Sequence, residues 1–399
     1  MLLSAWTGPG VDERQVQSLS LADGKRQVLV KGGETPRYVS AGYLIYAHAD
    51  SLMAAPFDLQ TLSLAIGPPV LLAETVRGMN AEGAQYAISN SSTLAYLQGD
   101  PRRNERRLVW VDRKGNIEPL AAPLREYMNP RVSPDGRHAA VEVAASTIGI
   151  WLYEFSRATL TPVTSTGSSQ AASWTPDGKR IAYRATRTGF RNLFWKTVDG
   201  SSEEEPLAKS ENNQTPSSWS SDGKWLAYYE IAPTTGADLA LLPLEGDRKP
   251  QVFLRTPYNE QNPQFSPDGK WLAYASDESS RSEIYVRPFP GPGAKVQVST
   301  QGGAEPLWSR NGRELFYLAG NKMMAVDIAT QPNFIAGSPK TLLEGLYVLS
   351  NTGSTGYDIS PDGQRFLRIQ TTAPEPPPTQ INVVLNWFEE LKQRVSTGK

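Results

Sequence analysis

The sequence predicts an all-β protein, a β-propeller built of four-stranded antiparallel blades, and three observations lead to this prediction. A ten-residue motif with a tight turn at its centre recurs along the 399 residues, its copies keep a nearly constant spacing, and a second pair of short apolar runs follows most copies. Repeats of roughly 20 to 50 residues are typical of solenoids and propellers. Because no amphipathic helical pattern interrupts the repeats, folds that alternate strands with helices are disfavoured.

The motif contains the end of one strand, a turn and the start of the next strand. Its copies begin at Val39, Ile88, Val132, Trp174, Trp219, Phe265, Trp308 and Ile359. Their turn positions, 42, 92, 136, 178, 223, 269, 312 and 363, are 42 to 51 residues apart. Eight copies predict eight blades, and seven blades with a diverged terminal hairpin are the alternative.

The residues of the turn explain why it recurs. In Ser/Thr-Pro-Asp-Gly, Pro presets φ, Asp accepts a hydrogen bond from the nearby backbone, and Gly adopts the positive φ that a tight hairpin requires. The following strand, Lys-x-Leu-Ala-Tyr in the best copies, places Leu and Tyr on one face and Ala on the other. Such strands suit sheets that stack face to face. With the second pair of strands, each repeat of about 45 residues supplies one blade.

The two ends of the chain are predicted to close the ring. The segments 15–19 and 26–30 look like outer strands, and their pairing with the C-terminal blade would cover two exposed sheet edges. A single propeller is therefore predicted over residues 1–384. Residues 385–399 are predicted to form a short helix and a tail, docked on the propeller or available to a partner. The apolar residues near helical spacing are Leu385, Phe388, Leu391 and Val395.

The motif W/F-S-P-D-G-K-x-L-A-Y resembles the repeat of TolB-like, WD-repeat-like β-propellers. Over roughly residues 12–395 the chain is most similar to the C-terminal propeller regions of bacterial membrane-anchored serine/threonine protein kinases. The segments that carry this similarity are Leu108-Val-Trp-Val-Asp-Arg-Lys-Gly, Trp174-Thr-Pro-Asp-Gly, Phe265-Ser-Pro-Asp-Gly-Lys-Trp-Leu-Ala-Tyr, Tyr285-Val-Arg-Pro-Phe-Pro and Asp358-Ile-Ser-Pro-Asp-Gly-Gln-Arg-Phe. The resemblance implies a sensing or interaction role and an extracytoplasmic, periplasmic location. Propellers host many activities, so it is more specific for fold than for function.

Motifs of several enzyme classes are missing from the sequence. It contains no Gly-rich phosphate loop, no His-Arg-Asp or Asp-Phe-Gly triplet and no Gly-x-Ser-x-Gly elbow. Cys is absent, and the two histidines, His48 and His138, lie at ordinary strand positions. The sequence therefore predicts no kinase, serine-hydrolase or zinc chemistry, no metal and no cofactor. The aspartates of the repeated turns are predicted to stabilise those turns.

The charge balance narrows the classes of partner. Lys and Arg number 40 against 41 Asp and Glu, so the net charge is −1 and no basic surface for nucleic acid or membrane is predicted. A basic cluster at Arg102, Arg103, Arg106 and Arg107 is interrupted by Glu105 and is interpreted as solvent-exposed. The apolar runs are too short to span a bilayer, and the first residues lack the pattern of a secretory signal. We expect a monomer that does not itself insert into a membrane.

The longer connections opposite the Pro-Asp-Gly turns are the predicted binding surface, because loops on a rigid scaffold concentrate binding residues. Aromatic and arginine side chains there suit a protein or peptide partner. The candidate residues are Tyr127, Arg184, Arg187, Phe190, Arg191, Tyr258, Glu260 and Asn262. The predicted function is a non-enzymatic scaffold that binds a protein or peptide, as the sensor or interaction module of a bacterial signalling kinase.

The alternative function is a carbohydrate-active or other small-ligand enzyme. Such enzymes need paired carboxylates that converge at the mouth of the channel. The candidate acidic residues, Glu230, Glu260, Asp277, Glu278 and Glu283, lie in or beside connections that should share one face.

Overall fold

The computed structural model describes residues 1–6, 14–64, 68–77, 83–89, 92–99, 105–145, 147–291, 293–330, 333–345, 350, 353–372 and 379–394. Within this part, the chain forms 36 strands in nine sheets and one helix. Two compact units result, residues 1–104, 145–147 and 373–399 in the first and residues 105–144 and 148–372 in the second. The predicted all-β fold with four-stranded antiparallel blades is confirmed. The predicted domain boundary at residue 384 stays a prediction.

The first unit contains three sheets and the helix. Its strands are β1 (Leu2–Trp6), β2 (Arg14–Leu19) and β3 (Arg26–Lys31) in one sheet, β4 (Gly33–Val39), β5 (Tyr43–His48), β6 (Ser51–Asp58), β7 (Ser63–Leu64) and β8 (Val70–Ala73) in the second, and β9 (Tyr86–Ile88), β10 (Leu94–Tyr96) and β36 (Asn382–Val384) in the third. Helix α1 (Trp387–Arg394) buries Trp387 and Leu391 in one apolar cluster with Ile45 and Leu52.

The sequence predicted that strands β2 and β3 pair with the C-terminal blade, and the structure corrects this prediction. They form a local hairpin in which Leu19 lies opposite Arg26, and β1 completes their sheet. The Ser20 N–H closes the hairpin by donating to Lys25 O over 2.9 Å. A short loop costs less conformational entropy to close than a connection to the far end of the chain, so the local pairing forms.

The second unit contains six sheets, numbered here as blades 1 to 6. Blade 1 is β13 (Glu126–Val132), β14 (His138–Ala144), β15 (Ile148–Glu154) and β16 (Thr159–Pro162); blade 2 is β17 (Ser169–Trp174), β18 (Arg180–Thr188), β19 (Phe190–Thr197) and β20 (Glu205–Ala208); blade 3 is β21 (Asn213–Trp219), β22 (Trp225–Ala232), β23 (Gly236–Pro243) and β24 (Gln251–Leu254). Blade 4 is β25 (Glu260–Phe265), β26 (Trp271–Ser276), β27 (Glu283–Pro288) and β28 (Val296–Gln297).

Blade 5 is β29 (Ala304–Trp308), β30 (Glu314–Ala319), β31 (Lys322–Ala329) and β33 (Lys340–Glu344), with the short β32 (Ile335–Ala336) also on β31. Blade 6 is β11 (Arg106–Asp112), β12 (Ile117–Pro119), β34 (Tyr357–Ile359) and β35 (Arg365–Thr371). Blade 6 therefore combines the first two strands of the unit with its last two. The antiparallel β11–β35 pairing runs from Arg106 opposite Thr371 to Asp112 opposite Arg365.

One apolar cluster lies between each pair of neighbouring blades. Between blades 2 and 3, for example, Ala182 of β18 packs with Trp219 and Leu226 of blade 3. The sixth cluster joins blade 6 to blade 1 through Leu108 and Val141, so the six blades form a closed ring. The count of eight blades in one ring is not confirmed, because the motif copies near positions 42 and 92 lie in the first unit.

The repeated turns are held by the same hydrogen bonds in each blade of the ring. In blade 3, the Ser220 hydroxyl donates to Asp222 Oδ1 over 2.6 Å, and the Lys224 N–H donates to the same oxygen over 3.0 Å. The Trp225 N–H donates to the Ser220 hydroxyl over 3.0 Å. Gly223 adopts a φ of +72°, which favours glycine. The aspartates thus act within their turns, as the sequence predicts.

The aromatic residue before most turns connects neighbouring blades. Trp174 Nε1 donates to Arg131 O of blade 1 over 3.0 Å, and Trp308 Nε1 donates to Gln264 O of blade 4, also over 3.0 Å. Each indole therefore packs in the apolar layer between blades and also satisfies a carbonyl of the preceding innermost strand. In the described ranges, no helix is long and apolar enough to cross a membrane.

Candidate functional site

The strands of the six-bladed ring end on two faces. The repeated turns join the first and second strands of each blade, and they lie on the face that we call the turn face. The hairpins between second and third strands and the connections between blades lie on the opposite face, the loop face. The eight candidate residues were predicted for the loop face, and the structure divides them into exposed and interior groups.

Phe190 and Tyr258 are the two exposed aromatic candidates on the loop face. Phe190 follows Gly189, the single residue between β18 and β19, whose φ is +99°. The connection that contains Phe190, predicted to be one of the longer connections of the loop face, is therefore a tight hairpin. Tyr258 lies in the connection from β24 to β25. Both side chains are 44% exposed.

Two further apolar side chains are exposed on the loop face. Ile231, near the end of β22, is 45% exposed, and Leu124, in the connection from β12 to β13, is 44% exposed. Exposed apolar groups of this size on loops are features of protein interfaces when they lie close together. Phe190, Ile231 and Tyr258 come from blades 2 and 3 and from the connection that follows blade 3.

Tyr127 and Arg184 lie inside the ring, although both were predicted in loops. Tyr127 is fully buried between blades 6 and 1, and its hydroxyl donates to Pro123 O over 2.6 Å. Arg184 belongs to β18, where its guanidinium donates to Thr215 Oγ1 over 2.8 Å and to Gln170 Oε1 over 3.1 Å. Neither side chain is available on the surface of the loop face.

Glu260 and Asn262 lie on β25, the innermost strand of blade 4. Glu260 is 1% exposed and accepts a hydrogen bond from the Thr256 hydroxyl. Burial of the carboxyl group, together with the nearby charge of Asp238, raises the pKa of Glu260 to about 7. Asn262 has a φ of +54° at a register shift in the strand, and its amide donates to Ser354 O over 3.4 Å.

Arg187 and Arg191 flank the Phe190 hairpin in different ways. Arg187 forms a two-point ion pair with Glu204, over 2.8 and 2.7 Å, and its guanidinium lies 5.5 Å from the centre of the Phe194 ring. The half-buried Arg191 donates its backbone N–H to Asn213 Oδ1 over 3.0 Å. This bond connects the hairpin of blade 2 to the first strand of blade 3.

The carboxylates of the alternative enzymatic function are engaged in structural hydrogen bonds. Glu230 accepts from the Asn212 and Gln214 amides, each over 2.9 Å. Asp277 accepts from Asn259 at both oxygens, over 2.8 Å each. Two more acidic groups are paired with cations, Glu278 with Lys295 and Glu283 with Arg281. Among the described residues, no group of three or more His, Asp or Glu side chains could hold a metal ion.

A short segment before β34 crosses the axis of the ring, and we call residues 353–356 the axial segment. Four blades hold it. Tyr229 of blade 3 donates its hydroxyl to Gly353 O over 3.0 Å, and Arg131 of blade 1 donates to Thr355 O over 2.8 Å. In blade 5, Glu305 accepts the Gly356 N–H over 2.6 Å. Together with the Asn262 bond from blade 4, these contacts place the segment across the central channel.

The turn-face end of the channel is a cavity of about 350 Å³ that ends at the axial segment. Thr355 and Arg131 line its floor. Its walls carry four aromatic side chains, one from each of blades 2 to 5, and its rim carries residues of the repeated turns. The wall residues are Trp174, Trp219, Phe265 and Trp308, and the rim residues are Pro134, Pro176, Ser221, Pro267 and Arg310.

The sequence prediction did not include this cavity, because the repeated turns were interpreted only as structural. A comparison of the copies within the sequence could have indicated it. Five of the six copies in the ring have Pro or Ser after the Ser or Thr of the turn, whereas the copy of blade 5 has Arg310. Arg310 is therefore a charged residue at a position, close to the axis of the ring, where the other copies have an uncharged one.

The remaining sequence candidates lie elsewhere. His48 Nδ1 lies 2.9 Å from Gly32 O in the first unit, and His138 begins β14. In the basic cluster, Arg102 and Arg103 fall outside the described residues. Arg106 donates to Tyr127 O over 2.9 Å and pairs with Glu126 across 3.7 Å, so it has a structural role at the start of β11.

Comparisons with known proteins identify the fold. The chain matches no family model and no curated protein. It is similar to the solved structure of a protein from Agrobacterium tumefaciens assigned as TolB, at 15% identity and a TM-score of 0.57, over 67% of this chain and 99% of that one. TolB from Acinetobacter baumannii matches at 16% identity and a TM-score of 0.42, over 84% of this chain and 80% of that one.

Oligogalacturonate lyase from Vibrio parahaemolyticus also matches, at 12% identity and a TM-score of 0.44, over 65% of this chain and 76% of that one. The similarity to the A. tumefaciens structure spans nearly the whole of that protein and about as many residues as the six-bladed ring contains. The resemblance to kinase-associated propellers stays a prediction. The chain has the fold of a TolB-like β-propeller.

Proposed function

We propose that the six-bladed ring binds a protein or peptide partner through its loop face, as the interaction module of a signalling protein outside the cytoplasm. The observation that carries this proposal is the exposure of three large apolar side chains on the loop face, Phe190, Ile231 and Tyr258. Aromatic side chains of this kind serve as anchors in protein interfaces. The periplasmic location and the kinase partner domain rest on the sequence resemblance alone.

Hydrogen bonds between blades support the proposal, because they hold the loop face in one conformation. The Phe190 hairpin is fixed to blade 3 through the Arg191 N–H and Asn213 Oδ1. The hairpin between β22 and β23 is fixed in the same way, since the Ala237 N–H donates to Asn259 Oδ1 over 3.2 Å. A surface that is already ordered loses little conformational entropy when a partner binds.

The enzymatic alternative is supported by one observation, the pKa of Glu260 near 7, which is typical of a general acid or base. The surroundings of Glu260 oppose it. The side chain is 1% exposed, and the candidate carboxylates of Glu230 and Asp277 accept hydrogen bonds from amide groups of the protein. A substrate would have to displace these bonds, so we favour the binding function.

Photo-cross-linking followed by a binding measurement tests the loop face. A benzoylphenylalanine placed at Phe190 should capture a partner from extracts of the cells that produce the protein, and the same group at Val252 of the outer strand β24 is the control. The purified partner should then bind the Phe190→Ser/Tyr258→Ser variant at least about 30-fold more weakly than the wild type, which corresponds to the loss of one strong anchor.

The control variant is Val252→Ser/Ile335→Ser, which removes two apolar side chains that are also exposed but lie on outer strands. It should bind the partner within twofold of the wild type. Equal affinity of the wild type and the Phe190→Ser/Tyr258→Ser variant would contradict the proposal.

A further inference from the structure

The six turns around the channel mouth provide an internal reference, because they share one backbone arrangement. The position after the Ser or Thr is occupied by Pro134, Pro176, Ser221, Pro267, Arg310 and Pro361. The turn of blade 5 also has Asn311 where the other five have Asp. Relative to the repeat, blade 5 therefore gains one positive charge and loses one negative charge at the mouth of the cavity.

The turn itself does not require these two changes. The Ser309 hydroxyl donates to Asn311 Oδ1 over 2.8 Å, and the Arg313 N–H donates to the same oxygen over 3.0 Å. The matching bonds in blade 4 run to Asp268, from the Ser266 hydroxyl over 2.5 Å and from the Lys270 N–H over 3.1 Å. Blade 5 thus keeps the turn and changes only the charge that it presents.

Arg310 is a cation at this rim, without a partner among the residues that the structure describes. Its exposed side chain makes no hydrogen bond or ion pair with any residue that the structure describes. The carboxylate among the cavity-lining residues, Asp358, accepts the Val132 and Ile359 N–H groups, each over 2.8 Å, and is thereby held by the backbone. With Arg131 at the floor, the lining carries two positive charges and one negative charge. Because the guanidinium of Arg131 is engaged by the axial segment, an anionic group is favoured at the rim beside Arg310.

The shape of the cavity favours a ligand that is the end of a peptide chain. The axial segment closes the cavity at the floor, so a chain cannot pass through the ring from the turn face, and the last residue of a peptide can rest at the rim with its side chain inside the cavity. The aromatic walls favour an apolar side chain. The volume of about 350 Å³ lies in the range of small-ligand sites.

We propose that this turn-face cavity binds the C-terminal end of a peptide, with its carboxylate at Arg310 and its apolar last side chain between the aromatic walls. The positive charge selects a carboxylate end over an ammonium end. Preceding residues of the peptide would lie in the adjoining groove of about 1070 Å³ between blades 2 and 3, which shares Pro176, Trp219 and Ser221 with the cavity. The site lies opposite the loop face and does not depend on the function proposed there.

Calorimetric titration with short peptides tests the site. The probes are N-acetylated tripeptides, acetyl-Gly-Gly-Leu and acetyl-Gly-Gly-Phe, with free C-terminal carboxylates, the same peptides with C-terminal amides, and N-acetylphenylalanine. We expect binding of at least one free carboxylate peptide and at least tenfold weaker binding of its amide. The failure of both carboxylate peptides to bind would overturn the proposal, as would equal binding of acid and amide.

Variants at the turn of blade 5 distinguish recognition of the peptide carboxylate by Arg310 from a general effect of positive charge. Arg310→Pro restores the residue of four other copies, so the turn should still form, and peptide affinity should fall at least tenfold with an unchanged Tm. Arg313→Gln removes an exposed charge two residues beyond Asn311 and should leave the affinity within twofold. Unchanged affinity of Arg310→Pro would contradict the assignment. Binding of N-acetylphenylalanine as tight as that of the tripeptide would show that the ligand is a small carboxylate rather than a peptide end.

Discussion

Glu260 illustrates how a single carboxyl group on the innermost strand of a blade is affected by its surroundings. Only the Thr256 hydroxyl donates to one of its oxygens, while the other oxygen, Oε2, is buried without a partner in the described residues. Burial disfavours the charged form, and the carboxylates of Asp238, Glu278 and Asp277 add to this effect. The side chain therefore keeps its proton in the folded protein at pH values where it is ionised in the unfolded chain.

The raised pKa of Glu260 predicts a loss of stability as the pH rises. Below pH 4.5, the group is protonated in both states, whereas between about 4.5 and 7 only the unfolded chain releases the proton, which favours unfolding. Relative to Glu260→Gln, the wild type should lose up to about 3 kcal/mol of unfolding free energy between pH 4.5 and 7.5. Urea denaturation of both proteins at several pH values measures this difference.

The variant Glu211→Gln, which removes an exposed carboxylate of the same ring, is the control for a change in net charge. A free-energy difference between wild type and Glu260→Gln that stays constant from pH 4.5 to 7.5 would show that folding does not raise the pKa of Glu260.

At the residue scale, the sequence predicted the exposed aromatic side chains but not the interior ones. Phe190 and Tyr258 follow turn-forming residues and are exposed, as expected. Tyr127, Arg184 and Asn262 are buried because they lie on strands and not in connections, and Asn262 lies at one of the bulges that recur in β13, β17 and β25. Such a bulge alters which side chains face inward. The residue with positive φ at the bulge is Asn129 in β13 and Ala171 in β17. Because no single residue type marks the bulge, the sequence does not reveal its position.

At the scale of single elements, the repeated turn is the best determined part of the fold. Its side-chain hydrogen bonds join residues that are two to five positions apart, as between Ser220, Asp222 and Trp225. Each copy therefore folds in the same way regardless of the blade that contains it. This local character explains why the six turns of the ring could be predicted, whereas the hairpin at Gly189 was expected to be a long loop.

Replacement of a turn aspartate should have an effect that depends on the new side chain. Asp222→Ala removes the acceptor of the Ser220 hydroxyl and the Lys224 N–H, and it should lower the unfolding free energy by about 1 to 2 kcal/mol. Asp222→Asn keeps an acceptor oxygen in place, as Asn311 does in blade 5, and should cost less than half as much. Chemical denaturation at pH 7 compares the variants. An equal loss for Ala and Asn would mean that the charge of Asp222, and not its hydrogen bonds, stabilises the turn.

For the whole molecule, the number of blades depends on long-range pairing that the turn motif does not encode. The copies near residues 42 and 92 form hairpins, β4–β5 and β9–β10, as the motif predicts. Their sheets nevertheless belong to the first unit, and β10 pairs with β36 near the C-terminus. Regular spacing therefore indicated the hairpins, but it did not show which of them join the ring.

Ring closure by the first and last strands of the second unit predicts that a disulfide can connect them. Arg107 and Gln370 lie opposite each other in the β11–β35 pairing, and both are half-buried. Directly opposite residues in antiparallel strands have Cβ atoms about 4.5 to 5.5 Å apart, near the span of a disulfide. Because the natural chain has no Cys, oxidation of Arg107→Cys/Gln370→Cys can form only this bond within one molecule.

The oxidised variant should unfold at a temperature several degrees higher than its reduced form, because the bond closes a loop of about 260 residues and restricts the unfolded ring. The loss of Arg107 should cost little, since its buried Nε has no partner among the described residues. Thiol titration and calorimetric melting, with and without reductant, measure the effect. Two free thiols that persist in the folded, oxidant-treated protein would show that β11 and β35 are not neighbours and that blade 6 is assembled differently.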